Sequence, residues 1–245
     1  MEPIKTLGLV IRVAAYREAH QMLTVLTQTH GKIAVSAPGV RSFKNKNHAV
    51  GSPYRYGEFV LKVTRDGRYS LMEFTPLAFF DNINKSLHAM QTGMFFLELC
   101  EKIAPEEEPM PELLRLTLNA LHFLAKTDRD PDAVRLGYEI GVLRISGVCA
   151  DLTSCVKCGS REDLVRFRPA LGGVTCIRCG GFVLDRAAHS LLLMTDTELQ
   201  KPLFSFDVPK STIAATLRYT EGMIHAQLCD DLKQLRALHE LFPIL

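Results

Sequence analysis

Two Cys-x-x-Cys pairs, Cys155-Val-Lys-Cys158 and Cys176-Ile-Arg-Cys179, constrain this chain more than any other feature. Seventeen residues separate the pairs, and each is followed by a glycine, Gly159 and Gly180. Two residues between thiolates let one tight turn aim both sulfurs at one metal ion, and the following glycine admits a left-handed backbone. Two such knuckles joined by a short hairpin complete a tetrahedron, so the spacing predicts one structural Zn2+ on Cys155, Cys158, Cys176 and Cys179. Four protein thiolates leave no open position for water, so a site of this kind holds structure and does no chemistry. A thioredoxin-like redox role needs a single such pair beside a βαβ unit, which the surroundings do not provide. Of the other three cysteines, Cys100 and Cys229 fall in helix-like segments as small core residues. Cys149 precedes the first knuckle by six residues and is the weaker candidate for a ligand.

The module sits in a chain whose halves have different periods. Residues 8–75 read as strands: the run Gly8–Val13, then Met22–Thr27, then the alternating Lys32–Ser36, with a His30-Gly31 turn before the last of these. An irregular polar stretch, Val40 to Pro53, follows. Glu58–Val63 and Tyr69–Phe74 then form a hairpin around Asp66-Gly67. Five short strands with a long loop after the third suit a small closed barrel of the OB type, and an SH3-like barrel fits the count nearly as well. Beyond Pro76 apolar residues recur at helical spacing, with breaks at Pro105–Pro111 and Thr127 and a third helix opened by Asp130-Pro131. Helical patterns resume at 186–194, 210–228 and 230–241, the last opened by Asp230-Asp231 as a cap pair. The chain therefore reads as multidomain α+β. A barrel domain spans 1–80, and an α-helical domain spans 81–245 with the zinc insertion at 149–185.

Charge divides along the same lines. Residues 1–80 carry eleven Lys/Arg against five Asp/Glu, and 81–148 carry seven against eleven. A basic barrel suggests a polyanionic partner, although a solubilising surface accounts for the charge equally well. Arg41, Lys44 and Lys46 lie in the polar loop, where a buried position would be costly, and are the first candidates for nucleic-acid contact. Arg12, Arg17, Lys32, Arg65 and Arg68 are weaker candidates. On the fourth strand Phe59, Leu61 and Val63 should face the core. Tyr54, Tyr56, Val60 and Lys62 share the other face, where the tyrosines either stack on bases or pack on helices. The run Glu106 to Glu108 reads as a solvated loop between helices.

Enzymatic readings find little support. There is no phosphate-cradling loop, HExxH or G-x-S-x-G, and Ser154-Cys-Val-Lys157 matches S-x-x-K only inside the first knuckle. No stretch approaches eighteen apolar residues, and the start MEPIKTLGLVIRV lacks signal-peptide architecture, so a cytoplasmic location and no membrane partner are expected.

The order of these segments resembles a known family. Leu7-Gly-Leu-Val-Ile-Arg12, Leu23-Thr-Val-Leu-Thr-Gln-Thr-His-Gly-Lys-Ile33 and Pro38-Gly-Val-Arg41 are similar to the opening of RecO, the bacterial DNA-repair and recombination mediator family. The four-cysteine module within a helical second domain, and the closing Leu217-Arg-Tyr-Thr-Glu221 leading into Leu232-Lys-Gln-Leu235, agree with it. The loop at 41–48 departs from the pattern, with two asparagines and a histidine where more Lys/Arg is expected. The resemblance implies an OB-fold joined to a zinc-bearing helical domain, and no catalysis. It also implies binding and annealing of single- and double-stranded DNA near the nucleoid. The implied protein partners are RecR, in some settings RecF, the acidic C-terminal tail of single-stranded DNA-binding protein (SSB), and RecA indirectly, as the recombinase loaded onto SSB-coated strands. An acidic tail needs an apolar groove with basic residues, for which Arg115, Lys126, Arg135 and Arg144 are available. Two other classes fit the residues alone: a zinc-containing RNA-binding accessory factor of transcription or translation, and a pure scaffold.

Overall fold

The computed structural model describes residues 2–16, 18–197, 203–204 and 207–243. It divides into two compact units, Met1–Thr127 and Asp128–Leu245.

In the first unit five strands close into a barrel: β1 (Ile4–Tyr16), β2 (His20–Thr27), β3 (Gly31–Ala37), β4 (Arg55–Val63) and β5 (Tyr69–Phe79). Their order around the barrel is β1-β2-β3-β5-β4, with β1 pairing with β4 to close it. Every pairing is antiparallel except the short one of β3 with β5. This is the OB arrangement that the strand count suggested. Strand β1 is longer than its apolar run because it serves two partners. Residues 4–9 pair with β4 and residues 8–16 with β2, and the register shifts between Val10 and Arg12 where the strand bends. Alternation places Ile33, Val35 and Ala37 inside with Val10, Leu23, Val25, Phe59, Leu61, Leu71 and Phe74. Val63 is only half-buried.

The segment between β3 and β4 is not irregular. It is a chain of turns ending in a 3-10 turn at His48–Val50, and it sends Val40 and Val50 into the barrel core. Asn47 locks it to β5, donating to the Met72 carbonyl at 3.1 Å and accepting from the Phe74 amide at 3.0 Å. That role accounts for one asparagine standing where a basic residue was expected.

Two helices belong to the same unit. Helix α1 (Leu87–Ile103) is capped by Ser86, whose hydroxyl accepts from the Ala89 amide. Helix α2 (Pro111–Lys126) starts with proline at its first turn. The chain changes from strand to helix close to residue 80, yet α1 and α2 cluster with the barrel, because both bury apolar faces within this unit. The glutamates between them are more than a solvated linker, since the Glu107 amide donates to the Lys32 carbonyl at 3.1 Å. Tyr54 does not lie on the β4 face. It precedes the strand in a left-handed conformation (φ 67°), is 8% exposed, and its hydroxyl reaches the Met90 carbonyl of α1.

The second unit is built on α3 (Pro131–Ile145), whose residues Ala133 to Leu143 are all buried. Asp130 caps it, accepting from the Asp132 amide. Three short strands, β6 (Arg166–Arg168), β7 (Gly173–Thr175) and β8 (Phe182–Val183), form the cysteine module in the order β7-β6-β8. Then come α4 (Arg186–Thr197), α5 (Lys210–Gln227) and α6 (Lys233–Leu241). The cap of α6 falls on Leu232 and not on the expected Asp230-Asp231, and Asp231 instead pairs with Arg236 at 2.9 Å.

Burial all round α3 forces its charges to be matched from within. Arg135 is fully buried, with Glu139 one turn away at 2.8 Å and Glu221 of α5 also bound to it. Thr220 donates to Glu139, and His239 of α6 lies 3.1 Å from Glu221. Burial in company with a second carboxylate outweighs the shared guanidinium and pushes Glu139 up to about 7. Arg135 is thus a packing element and is not available to a partner's acidic tail.

Candidate metal centre and nucleic-acid interface

The four expected cysteines converge. The sulfurs of Cys155, Cys158, Cys176 and Cys179 all lie within 4.8 Å of one another. The Cys158 and Cys176 sulfurs are 3.7 Å apart, far beyond a disulfide and close to the edge of a tetrahedron built with bonds of about 2.3 Å, roughly 3.8 Å. Both knuckles turn as the sequence predicts, with Gly159 at φ 74° and Gly180 at φ 67°. A β6–β7 hairpin joins them.

The sulfurs are prepared for anionic ligation. Burial opposes ionisation of Cys155, but backbone N–H groups of Cys176, Lys157 and Cys158 outweigh it and lower the thiol to about 6. Cys176 is likewise lowered by the Cys179 amide. Cys179 is pushed up to about 12, chiefly by its hydrogen bond with the Cys158 sulfur. Sulfurs this close cannot all carry charge alone, and one bound cation resolves that conflict. The donor set therefore fits a metal ion held by four thiolates. Exposed Cys149 is outside the cluster, Cys100 is a core residue, and Cys229 is only half-buried.

The module is also anchored to its own unit. Phe167 and Val174 are fully buried, and the Phe167 ring packs 5.0 Å from Tyr219 of α5. The Tyr219 hydroxyl donates to the Val183 carbonyl and accepts from the Asp185 amide. Gln227 donates to the Pro169 carbonyl, and His189 of α4 bonds the Leu152 carbonyl. Beside these anchors is a pocket lined by Ile140, Leu143, Val148, Cys149, Tyr219 and Met223. Arg144 also lines it, and its NH2 group is buried without a hydrogen-bond partner among the described residues.

On the barrel, the outer face of β2 and β3 opens into a cleft of about 760 Å³. Thr24, Lys32, Ala34 and Ser36 form its floor, Arg12 and Tyr16 one rim, and Thr64, Asp66, Gly67, Arg68 and Tyr69 of the β4–β5 turn the other, while Glu101, Glu106 and Glu107 also line it. Oligonucleotides bind this face in OB-folds. Its basic residues are already engaged. Arg12 pairs with Glu101 at 3.0 Å, Lys32 donates to the Glu101 carbonyl at 2.8 Å, and Arg68 pairs with Asp66 at 3.1 Å. Lys62 is exposed on β4, in register with Ser70 of the cleft. Tyr56 is half-buried in a groove with Leu7 and the α2 residues Leu114, Arg115 and Leu118. Burial removes Tyr54 from the stacking face altogether. Arg17 lies outside the described residues.

Arg41, Lys44 and Lys46 are all exposed on the turn-rich loop. Arg41 donates to the Glu18 carbonyl at 2.8 Å, and Lys46 pairs with Glu73 at 3.2 Å. Lys44 has no ion-pair partner among the described residues. Sequence reasoning passed over two residues here, Phe43 in the loop and Tyr69 at the cleft rim. The signal for Phe43 was present, since a lone aromatic among arginine, lysine and asparagine residues has no periodicity that would bury it.

A closed OB barrel joined to a helical unit with a four-cysteine module defines the class. Residues 1–80 match the family described as Recombination protein O N terminal, and residues 84–236 match Recombination protein O C terminal. The chain is similar to the DNA repair protein RecO of Caldicellulosiruptor bescii, 33% identical over 82% of this chain and 84% of that one. It is also similar to the DNA repair protein RecO of Acetivibrio thermocellus, 30% identical over 87% of each chain. This chain belongs to the RecO family of DNA repair proteins. No helix among the described residues is long and apolar enough to cross a membrane.

Proposed function

We propose that this chain is a recombination mediator. In this reading it binds single- and double-stranded DNA through the barrel, anneals complementary strands and, with RecR, helps load RecA onto SSB-coated single strands. The cleft on the β2–β3 face, open between two loops at the position where OB-folds bind oligonucleotides, is the observation that carries the reading; its charges, Arg12, Lys32 and Arg68 against Asp66, Glu101, Glu106 and Glu107, are mixed. Phosphate contacts there position a strand without reading its sequence. The metal in this reading is one zinc ion with a structural role, since four thiolates fill its coordination shell. In this reading the acidic tail of SSB would lie over the surface around the pocket beside the module, whose cavity of about 50 Å³ admits no more than one small group near the unpartnered Arg144 nitrogen. RecF would act through the same assembly, at the nucleoid.

Annealing of two complementary oligonucleotides tests the reading, with the reaction run on bare and on SSB-coated strands. Acceleration of both is expected. Equal binding to RNA with no annealing would favour an accessory factor of transcription or translation. Absence of nucleic-acid binding would leave only a scaffold.

A further inference from the structure

Phe43 is 89% exposed, more than any other large hydrophobic residue among those described. A lone exposed apolar residue is ordinary on a mobile surface, where its side chain can fold down. The backbone that carries Phe43 is held in place. Its loop is pinned by Asn47 to β5 and by Arg41 to the β1–β2 turn, while Val40 and Val50 are buried in the barrel. Behind the ring stands His48, with ring centroids 4.5 Å apart and planes tilted by 46°. His48 is itself fixed, since its Nδ1 donates to the Val40 carbonyl at 2.8 Å. The ring is therefore backed on one side and open on the other.

The neighbours of the ring narrow the ligand. Ser42 and Lys44 beside it are exposed and polar, and Arg41 and Lys46 add positive charge. A protein-docking patch gathers several apolar residues, whereas this is one aromatic ring among cations. That combination matches a nucleic-acid strand, whose phosphates need the charges and whose bases need a flat apolar face. We propose that Phe43, backed by His48, is a stacking site for an unpaired nucleobase. A duplex keeps its bases stacked on one another, so this site favours single strands over paired ones. The inference rests on the DNA-binding reading above and adds to it the feature of DNA that the loop selects.

The test uses the full chain and a thymidine oligonucleotide carrying one 2-aminopurine at successive positions. Stacking on an aromatic ring quenches this fluorophore. Phe43→Ala should abolish quenching at the sensitive position and weaken single-strand binding by about 5- to 150-fold, the range for one stacked base. Duplex affinity should change by less than about twofold. The salt slope should be unaltered, because phenylalanine neutralises no phosphate. Phe43→Trp should restore both quenching and affinity. Folding is not at issue, because the side chain is on the surface and the Asn47 bonds stay in place.

A parent protein that binds strands with a steep salt slope, but shows the same 2-aminopurine signal and affinity as Phe43→Ala, overturns the stacking site and leaves the DNA reading standing. A parent protein that binds no strand overturns both.

Discussion

Replacing Arg41, Lys44 and Lys46 by alanine should change how DNA binding responds to salt, by an amount the structure apportions among the three. Each phosphate neutralised on a single strand contributes about −0.7 to the slope of log affinity against log salt, so three contacts contribute roughly −2. Between about 50 and 200 mM salt, those contacts account for about a 20-fold loss of affinity, which the triple variant should not show. Lys44, without an ion-pair partner among the described residues, should deliver its full share. Lys46 is held by Glu73 at 3.2 Å, in a pair with both side chains more than half exposed, so it meets DNA with a carboxylate in competition. An exposed pair of this kind contributes about 0–1 kcal/mol, and Glu73→Gln should therefore raise affinity at low salt by up to about fivefold. Arg41 has one amino group on the Glu18 carbonyl and other N–H groups left for a phosphate. If its part is mainly to tie the loop, adding Arg41→Ala to the lysine double variant lowers affinity without changing the slope. The assay is fluorescence anisotropy of a labelled oligonucleotide across a salt series, with circular dichroism to confirm folding. A folded triple variant with the parent's affinity and slope would remove the loop from the interface and move attention to Lys62, Arg68 and Tyr69.

Elemental analysis of purified protein should find one zinc per chain. Chelation should raise hydrogen exchange across residues 151–184 while the barrel keeps its protection, and metal-free protein with an unchanged pattern would contradict a structural role. Arg135→Met strands Glu139 and Glu221 together in the interior, and urea unfolding should report a loss of about 3–5 kcal/mol from the second unit. Glu139, pushed up to about 7, binds its proton more tightly folded than unfolded, where it titrates near 4.5. The stability it contributes is fully present below about 4.5 and is lost as pH rises through about 7. Melting temperatures from pH 5 to 8 should therefore fall for the parent and stay flatter for Glu139→Gln. Tyr54→Phe should lower stability by about 1 kcal/mol through the lost bond to the Met90 carbonyl and leave DNA affinity unchanged; a weaker complex would return Tyr54 to the interface.

What the sequence made legible was whatever depends on near neighbours. The knuckles could be read because two thiols and a glycine in one turn determine each other's positions, and Gly159 and Gly180 adopt the expected left-handed backbone. Asp130-Pro131 marked the start of α3 for the same reason. Residues whose partners come from far along the chain were misread. Asn47 looked like a missing cation because its partners, Met72 and Phe74, lie on β5. Arg135 looked like a surface charge because Glu221 arrives from α5. Tyr54 was placed on a strand face by alternation, and one left-handed residue ahead of β4 was enough to turn it inward.

The charge count of the barrel has to be read the same way. Eleven basic residues against five acidic ones in residues 1–80 look like a broad attractive surface. Much of that charge is already matched: Arg12 by Glu101, Arg55 by Asp81, Arg68 by Asp66 and Lys46 by Glu73. Two of these partners, Glu101 and Asp81, lie beyond residue 80, so the helices of the same unit neutralise charge that composition credits to the barrel. Lys44, Lys62 and Arg65 are exposed and have no ion-pair partner among the described residues. If the chain binds DNA as proposed, a strand should be attracted to the loop after β3 and the hairpin of β4 and β5, and less to the floor of the cleft. Screening sharpens this contrast, because at physiological salt charges further away than about 8 Å add little. In that reading the cleft would supply shape, while the β4–β5 turn at its edge and the separate loop after β3 would supply most of the pull.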